Sequence, residues 1–429
     1  MSSLENLTLC VPRASTGANP LEPVLAVTPK PELSGENAPA NHILIKVDRF
    51  GYSTNNVTYQ VQTLGEVPHF RYFDFHPAPT TTTEPIVSPA THGVIPVWGF
   101  GVVEASTHEA IKVGERVYGY FAPTRYLLLP IATTEVSAYA VFTPRPHLPA
   151  DRRPYNQVTR CAGDPTYNPS PAIEDLTMLY RPLFWTAFWY EDWLYTGTPT
   201  PYRGVKNVII SSASSKTAFS VAYNIKQRLV KDTNLKLKVV GVTSAKNIEF
   251  TKGLGLYDAV YAYDDVTSIP SADDAEGSWL YGDVAGNDEL TEVVVNHLGP
   301  RLLAGTALGL TNLSPTAPGK ASSAKWTANK FDGEATSAAH SAFKLEQFFM
   351  PEWLAKRRAE LEQPVLMGMM GAGWGGLIKN GSGWVKTSRV YGGDECVAAY
   401  KQFGKASGPD KGWVWSLWNS EEEAKSTFA

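Results

Sequence analysis

The run Asn207–Ser220, NVIISSASSKTAFS, holds the densest set of side chains able to engage a ligand. Ser211, Ser212, Ser214 and Ser215 bring hydroxyls, Ala213 brings little bulk, and Lys216 and Thr217 add a cation and a further hydroxyl. Small residues let a ligand phosphate approach the backbone, and a helix starting here would offer that phosphate its free N–H groups and positive dipole end. Serine carries a Cβ and cannot freely take φ > 0, as glycine does, but its hydroxyl can bond a phosphate oxygen. Two readings stay open. Either Ser212, Ser214, Ser215, Lys216 and Thr217 bind a pyrophosphate, or the turn is structural only. The string also evokes a P-loop through Lys216-Thr217, without the glycines that such a loop requires.

A second group follows at Thr243, Ser244 and Lys246. An acidic residue after a second strand would hold the ribose 2′-hydroxyl of NAD; hydroxyls and a lysine suit a 2′-phosphate, and hence NADP. The same residues also read as an ordinary helix N-cap with a solvated lysine. Asp283 and the Ala307-Leu308-Gly309 run end two later strands, where a ligand crevice opens in a doubly wound sheet, and turn chemistry explains them equally. Arg181, in the aromatic segment YRPLFWTAFW, needs a partner: a cofactor phosphate, a substrate carboxylate or a nearby acid. His340 reads as a cap or core histidine.

The elements that must position these groups alternate from residue 173 onward. Strands are expected at 207–211, 238–242, 259–262, 279–283 and 302–310, with helices at 217–230, 246–253, 288–298 and 341–358. This order implies a parallel, doubly wound sheet. Segment 173–195 has helical spacing, with a break or kink expected at Pro182. Residues 1–40, rich in Pro, Ser and Asn, are expected as an irregular arm. From His42 the pattern is strand-like and punctuated by glycine, with strands near 42–53, 95–106 and 112–120, a short helix near Asn55–Tyr59, an exposed loop at 76–90 and a long connection at 145–171. From Val365 strands and glycines are expected again, with a helix at 395–403 and a strand at 412–417. The expected division is 1–172, 173–340 and a tail, 341–429, that rejoins the first part.

The bulk numbers exclude several classes. There are 429 residues, 43% of them hydrophobic, enough for two or three domains. A net charge of -4 gives no electrostatic case for nucleic acid or an anionic membrane. Three cysteines without a CxxC spacing suggest neither a disulfide framework nor zinc, and fit a reducing cytoplasm. The N-terminus is a poor signal peptide, and no 18-residue apolar run exists. Twelve Trp, 20 Tyr and 17 Phe serve either large aromatic cores or a pocket for an apolar or aromatic substrate.

Three segments resemble the medium-chain dehydrogenase/reductase superfamily. WGFGVVEASTHEAIKVGERVYGYF (98–121) is similar to its G-x-G-x-V…V-G-D-R-V segment, with Glu115 in place of Asp. NVIISSASSKTAFSVAYNIK and GVTSAKNIEFTKGLGLYDAVYAYDD resemble the strand–turn–helix and following strand of the quinone-reductase branch. The whole chain is also similar to a fungal and bacterial family of reductase-like proteins with the same SSASSKTA turn and an RPLF segment. The resemblance implies a GroES-like β-rich domain plus a Rossmann doubly wound parallel sheet. It also implies NADP(H)-dependent, zinc-independent reduction of a carbonyl or activated alkene, with Asn56 and Tyr59 contacting the substrate. His92-Gly93 lies where the zinc-dependent branch has a ligand, but no Glu follows and there is no cysteine cluster. A small-molecule substrate is implied, a homodimer is allowed, and a lyase or hydrolase using the same cleft is the alternative.

Overall fold

The computed structural model describes residues 5–53, 56, 71–148, 150–270, 277–284, 286–308, 345–406 and 408–426. Its described residues divide into two compact units, one up to Leu179 and from Lys386 onward, the other from Tyr180 to Val385.

The first unit begins with β1 (Glu5–Pro12) and β2 (Val24–Pro29), an antiparallel pair in the register Glu5↔Pro29 to Cys10↔Val24. An irregular arm was expected here; the alternation Leu7, Leu9, Val11, all buried, outweighs the flanking Pro and Asn. There follow β3 (His42–Tyr52), β4 (His92–Gly93), β5 (Val97–Ser106), β6 (Arg116–Phe121), β7 (Tyr126–Pro130), β8 (Ala140–Phe142) and β9 (Gln157–Arg160). β9 lies inside the stretch expected as a connection. Helix α1 (Pro171–Thr196) comes next, and the division between the units falls within it.

The second unit continues with β10 (Asn207–Ile210), α2 (Lys216–Lys231), β11 (Lys238–Thr243), α3 (Ile248–Gly253), β12 (Ala259–Ala262), β13 (Trp279–Asp283), α4 (Asp288–Leu298), β14 (Leu302–Ala307), β15 (Leu345–Gln347), α5 (Met350–Glu360) and α6 (Gln363–Gly381). Its six strands pair in parallel in the order β12-β11-β10-β13-β14-β15. The strand order turns back beside β10, so the turn after β10 stands at the topological switch point. The chain closes in the first unit with β16 (Lys386–Tyr391), α7 (Gly393–Ala406), β17 (Lys411–Ser416) and α8 (Glu421–Lys425). There the eight-stranded sheet runs β16-β17-β3-β5-β6-β9-β8, with β7 paired to β3, and β2-β1-β4 form a smaller one. The observed class is that expected: a GroES-like β-rich domain and a Rossmann doubly wound parallel sheet.

Three further expectations differ from the structure locally. Of the break or kink expected at Pro182, the break does not occur: α1 is one continuous helix of 26 residues with the proline inside it. A proline leaves the carbonyl four residues earlier without its helical donor. That carbonyl, on Met178, is faced by Gly51 of β3, where a Cβ would stand only 2.9 Å from the oxygen. Within the span 341–358 expected as helix, Leu345–Gln347 forms the edge strand β15, and α5 starts only at Met350, with a proline in its first turn. The glycine-rich stretch after Val365 is not strand but α6. Its Gly373 and Gly376 stand where a Cβ would press within 2.8 Å of Phe188 and the Tyr223 hydroxyl, so close packing overrides glycine's low helix propensity. No described helix is long and apolar enough to cross a membrane.

β3 is buried along almost its whole length, including Lys46, Asp48 and Arg49. Its charges survive burial because they are paired. The Arg49 guanidinium donates to Asp175 at 2.9 Å and Glu174 at 2.7 Å. Arg116 donates twice to Glu174 and lies 2.6 Å from Asp48, and Arg389 donates to Asp175 at 2.8 Å. This network ties the first turn of α1 to β3, β6 and β16. Replacing Arg49 by Ala leaves buried carboxylates undercompensated and is expected to cost about 3–5 kcal/mol. Urea unfolding measures this, and a native midpoint in Arg49→Ala would show that the network does not hold the unit.

Candidate functional site

Helix α2 starts where expected, with Ser215 as its N-cap; the Ser215 Oγ accepts the Ala218 N–H at 3.3 Å. Ahead of it, Ser211 to Ser214 form the turn off β10. Ser212 takes φ +52°, the left-handed region that normally favours glycine. Its carbonyl accepts the Ser215 N–H at 2.7 Å, which closes the turn. Ala213 is fully buried, donates its N–H to Val242 O at 3.0 Å and accepts the Tyr257 hydroxyl at 2.9 Å. Glycine is required at position 241 because a Cβ there would lie 2.8 Å from the Ala213 Cβ.

The serine side chains tie the turn to neighbouring strand ends. Ser211 Oγ donates to Asp283 Oδ1 at 2.8 Å and accepts the Val284 N–H at 2.9 Å. Ser214 Oγ accepts from Thr243 Oγ1 at 3.0 Å and Asn247 Nδ2 at 3.1 Å. Burial pushes the hydroxyls of Tyr257, Tyr263 and Tyr281 above the ordinary tyrosine value, so they stay protonated at neutral pH.

The arrangement has a polarity. Ser214 and Ser215 use their oxygens as acceptors inside the protein, so each retains a proton to donate. Lys216 and Thr217, both half-buried, occupy the first two positions of α2, where N–H groups have no intrahelical partner. Donors and one cation thus gather at a helix N-terminus, which favours an anion.

The expected residues fall as follows. Ser212, Ser214, Ser215, Lys216, Thr217, Thr243 and Asp283 come together at the carboxyl ends of β10, β11 and β13. Thr243 is buried and supports Ser214, while Ser244 is half-buried and Lys246 exposed on the turn beyond β11. Ala307 ends β14, where its carbonyl accepts the Phe348 N–H. Arg181 is buried in α1. Asn56 belongs to the first unit and is itself buried. Its carbonyl oxygen accepts from the Ser53 N–H and hydroxyl, and its amide donates to Pro96 O at 3.0 Å. Tyr59, Gly309 and His340 lie outside the described residues. Asn247, Tyr257 and Tyr281 were missed; the only sequence signal was their position within a few residues of strand ends.

Residues 50–407 match a family described as "Protein of unknown function (DUF2855)". No curated protein matches the sequence. Among solved structures, CurA from Vibrio vulnificus is similar over 97% of this chain and 99% of that one, with a TM-score of 0.53 at 14% identity. Its complex with NADPH is similar over 92% of this chain and 94% of that one, with a TM-score of 0.52 at 12% identity. A mutant enoyl thioester reductase from Candida tropicalis is similar over 96% of this chain and 99% of that one, with a TM-score of 0.50 at 13% identity. At such identities the likeness is one of fold.

The Ser215 cap gives a direct test of the helix start. Ser215→Ala is expected to lower stability by about 1 kcal/mol, and Ser215→Gly by only a few tenths. Equal urea midpoints for the native chain and Ser215→Ala would remove the cap from the account.

Proposed function

This chain belongs to the DUF2855 family, and on that premise we propose that it is an NADP(H)-dependent, zinc-independent oxidoreductase. The observation that carries the proposal is the donor-rich start of α2 at the switch point of a Rossmann sheet, joined to a second strand that ends in Thr243-Ser244 without an acid. A pyrophosphate there meets the N–H groups of Lys216 and Thr217, the hydroxyls of Ser212, Ser214 and Ser215, and the Lys216 charge. A ribose 2′-phosphate meets Ser244 and Lys246, with Thr243 holding Ser214 in place. Ala307, the last residue of β14, would complete the carboxyl edge against the cofactor, and Gly309, two residues on in the sequence, is proposed for the same role. The resemblance to zinc-independent quinone reductases, the NADPH complex of a similar fold and the absence of a zinc-ligand pattern in the sequence support this reading.

When bound, NADPH supplies the hydride. The chain's own residues bind and orient it and handle the substrate. The substrate class proposed is a small apolar or aromatic molecule with an activated alkene or a carbonyl; a protein of similar fold acts on an enoyl thioester. Tyr59 is proposed to polarise the substrate oxygen or deliver a proton, with Asn56 holding the Ser53 and Pro96 backbone and Arg181 holding a substrate or cofactor anion. A cytoplasmic location fits the cofactor and the cysteine usage.

Titration with NADPH and NADH tests the cofactor. NADPH is expected to bind more tightly, and Lys246→Ala to weaken it by about 1–3 kcal/mol, tenfold to a hundredfold. Lys216→Glu should abolish NADPH binding by reversing the charge at the helix N-terminus, with urea unfolding in parallel to show that the variant is folded. Equal affinity for both cofactors would rule out the 2′-phosphate assignment. Unchanged NADPH affinity in Lys216→Glu would sink the phosphate site. NADPH oxidation with enoyl thioester and quinone acceptors then sorts the substrate class.

A further inference from the structure

We propose that Asp283 is a positioning residue: it sets the serine turn for anion binding through Ser211 and does not touch the ligand. The inference rests on the dinucleotide reading of that turn.

Asp283 is 3% exposed at the end of β13. Its Oδ1 accepts the Ser211 hydroxyl at 2.8 Å, the Gly286 N–H at 3.1 Å and the Tyr281 hydroxyl at 3.3 Å. A carboxylate buried this deeply is stable only with such donors around it, and bonds to a charged acceptor are about twice as strong as neutral ones. Ser211 is wholly buried; its hydroxyl gives its proton to Asp283 and takes the Val284 N–H, and its own N–H donates to Gly282 O at 3.0 Å. The Ser211 hydroxyl therefore has no proton left for a ligand. It stitches the end of β10 to the end of β13.

The stitch sits immediately before Ser212 at φ +52°. A non-glycine residue stays in that region only where its surroundings over-determine it. On one side Ser212 is followed by Ala213 and Ser215, held by Val242 O, Tyr257 and Ser212 O. On the other, Ser211–Asp283 is the side-chain anchor. Without it, Ser212 can relax to negative φ, which redirects Ser214, Ser215 and the first N–H groups of α2. The loss is then read at the anion, although Asp283 lies behind the turn.

The test measures NADPH dissociation constants by quenching of tryptophan fluorescence, with urea unfolding of each variant in parallel. Asp283→Ala and Ser211→Ala are each expected to weaken NADPH about tenfold. The double variant should be no weaker than Asp283→Ala alone, because both act through one bond. Asp283→Asn keeps an acceptor oxygen and should stay within about threefold of the native chain; a merely structural carboxylate would change unfolding and leave affinity level. Ser211→Ala, a minor change of volume, keeps the test in force if Asp283→Ala does not fold. Native binding with Ser211→Ala and Asp283→Ala within twofold of it overturns the positioning role alone, as does Asp283→Asn as weak as Asp283→Ala. A native chain that does not bind NADPH overturns the dinucleotide reading, and this inference with it.

Discussion

The left-handed backbone at Ser212 is the constraint around which the carboxyl edge of the parallel sheet is arranged. A glycine takes that conformation at no steric cost, whereas an L-residue with a Cβ pays on the order of 1–2 kcal/mol. A turn of glycines is defined by its own backbone. A turn of serines must be defined by what its side chains reach. Here they reach outward in two directions, to Asp283 on β13 and to Thr243 and Asn247 beside β11, while Ser215 caps the helix that follows. The shape of the turn is thus bound to the strands on both sides of the switch point.

Helix α1 shows a second use of buried charge. It carries one carboxylate pair in each unit. Glu174 and Asp175 meet Arg49, Arg116 and Arg389 in the first. In the second, Glu191 accepts the Tyr202 hydroxyl and two bonds from Arg228 at 2.9 Å, and Asp192 accepts the Trp353 indole N–H at 2.8 Å beside Arg357. Every one of these acids is 5% exposed or less. Such pairs add little net stability over apolar packing, but they are directional and costly to break.

The α/β half was largely legible because its signals are local. The strands at 259–262 and 279–283 and the helix at 288–298 have the boundaries that periodicity gives. What could not be read depends on contacts distant in sequence. Gly373 and Gly376 look like breakers until Phe188 and Tyr223 are placed against them. Leu345–Gln347 is strand only because β14 offers an edge. Composition hid the Leu7, Leu9, Val11 alternation in an arm rich in Pro and Asn. At the site, the serines, Lys216, Thr243 and Asp283 stood out by type and place. Their bonding did not, because a hydroxyl that faces a ligand and one that faces Asp283 look the same in a sequence.

That ambiguity resolves into a division of labour. Ser211 spends both its donor and its acceptor capacity within the fold, whereas Ser214 and Ser215 accept inside and keep their protons. The buried hydroxyl sets the turn and the later ones can serve a ligand. The order follows the chain: anchoring comes nearest the strand, where the sheet can hold it, and donation comes nearest the helix, where the dipole adds to it. A glycine turn needs no such order, since it has no side chains to place. Replacing glycine by serine exchanges backbone freedom for hydrogen-bonding capacity. The exchange succeeds only if the first serine is fixed from below, and Asp283 fixes it.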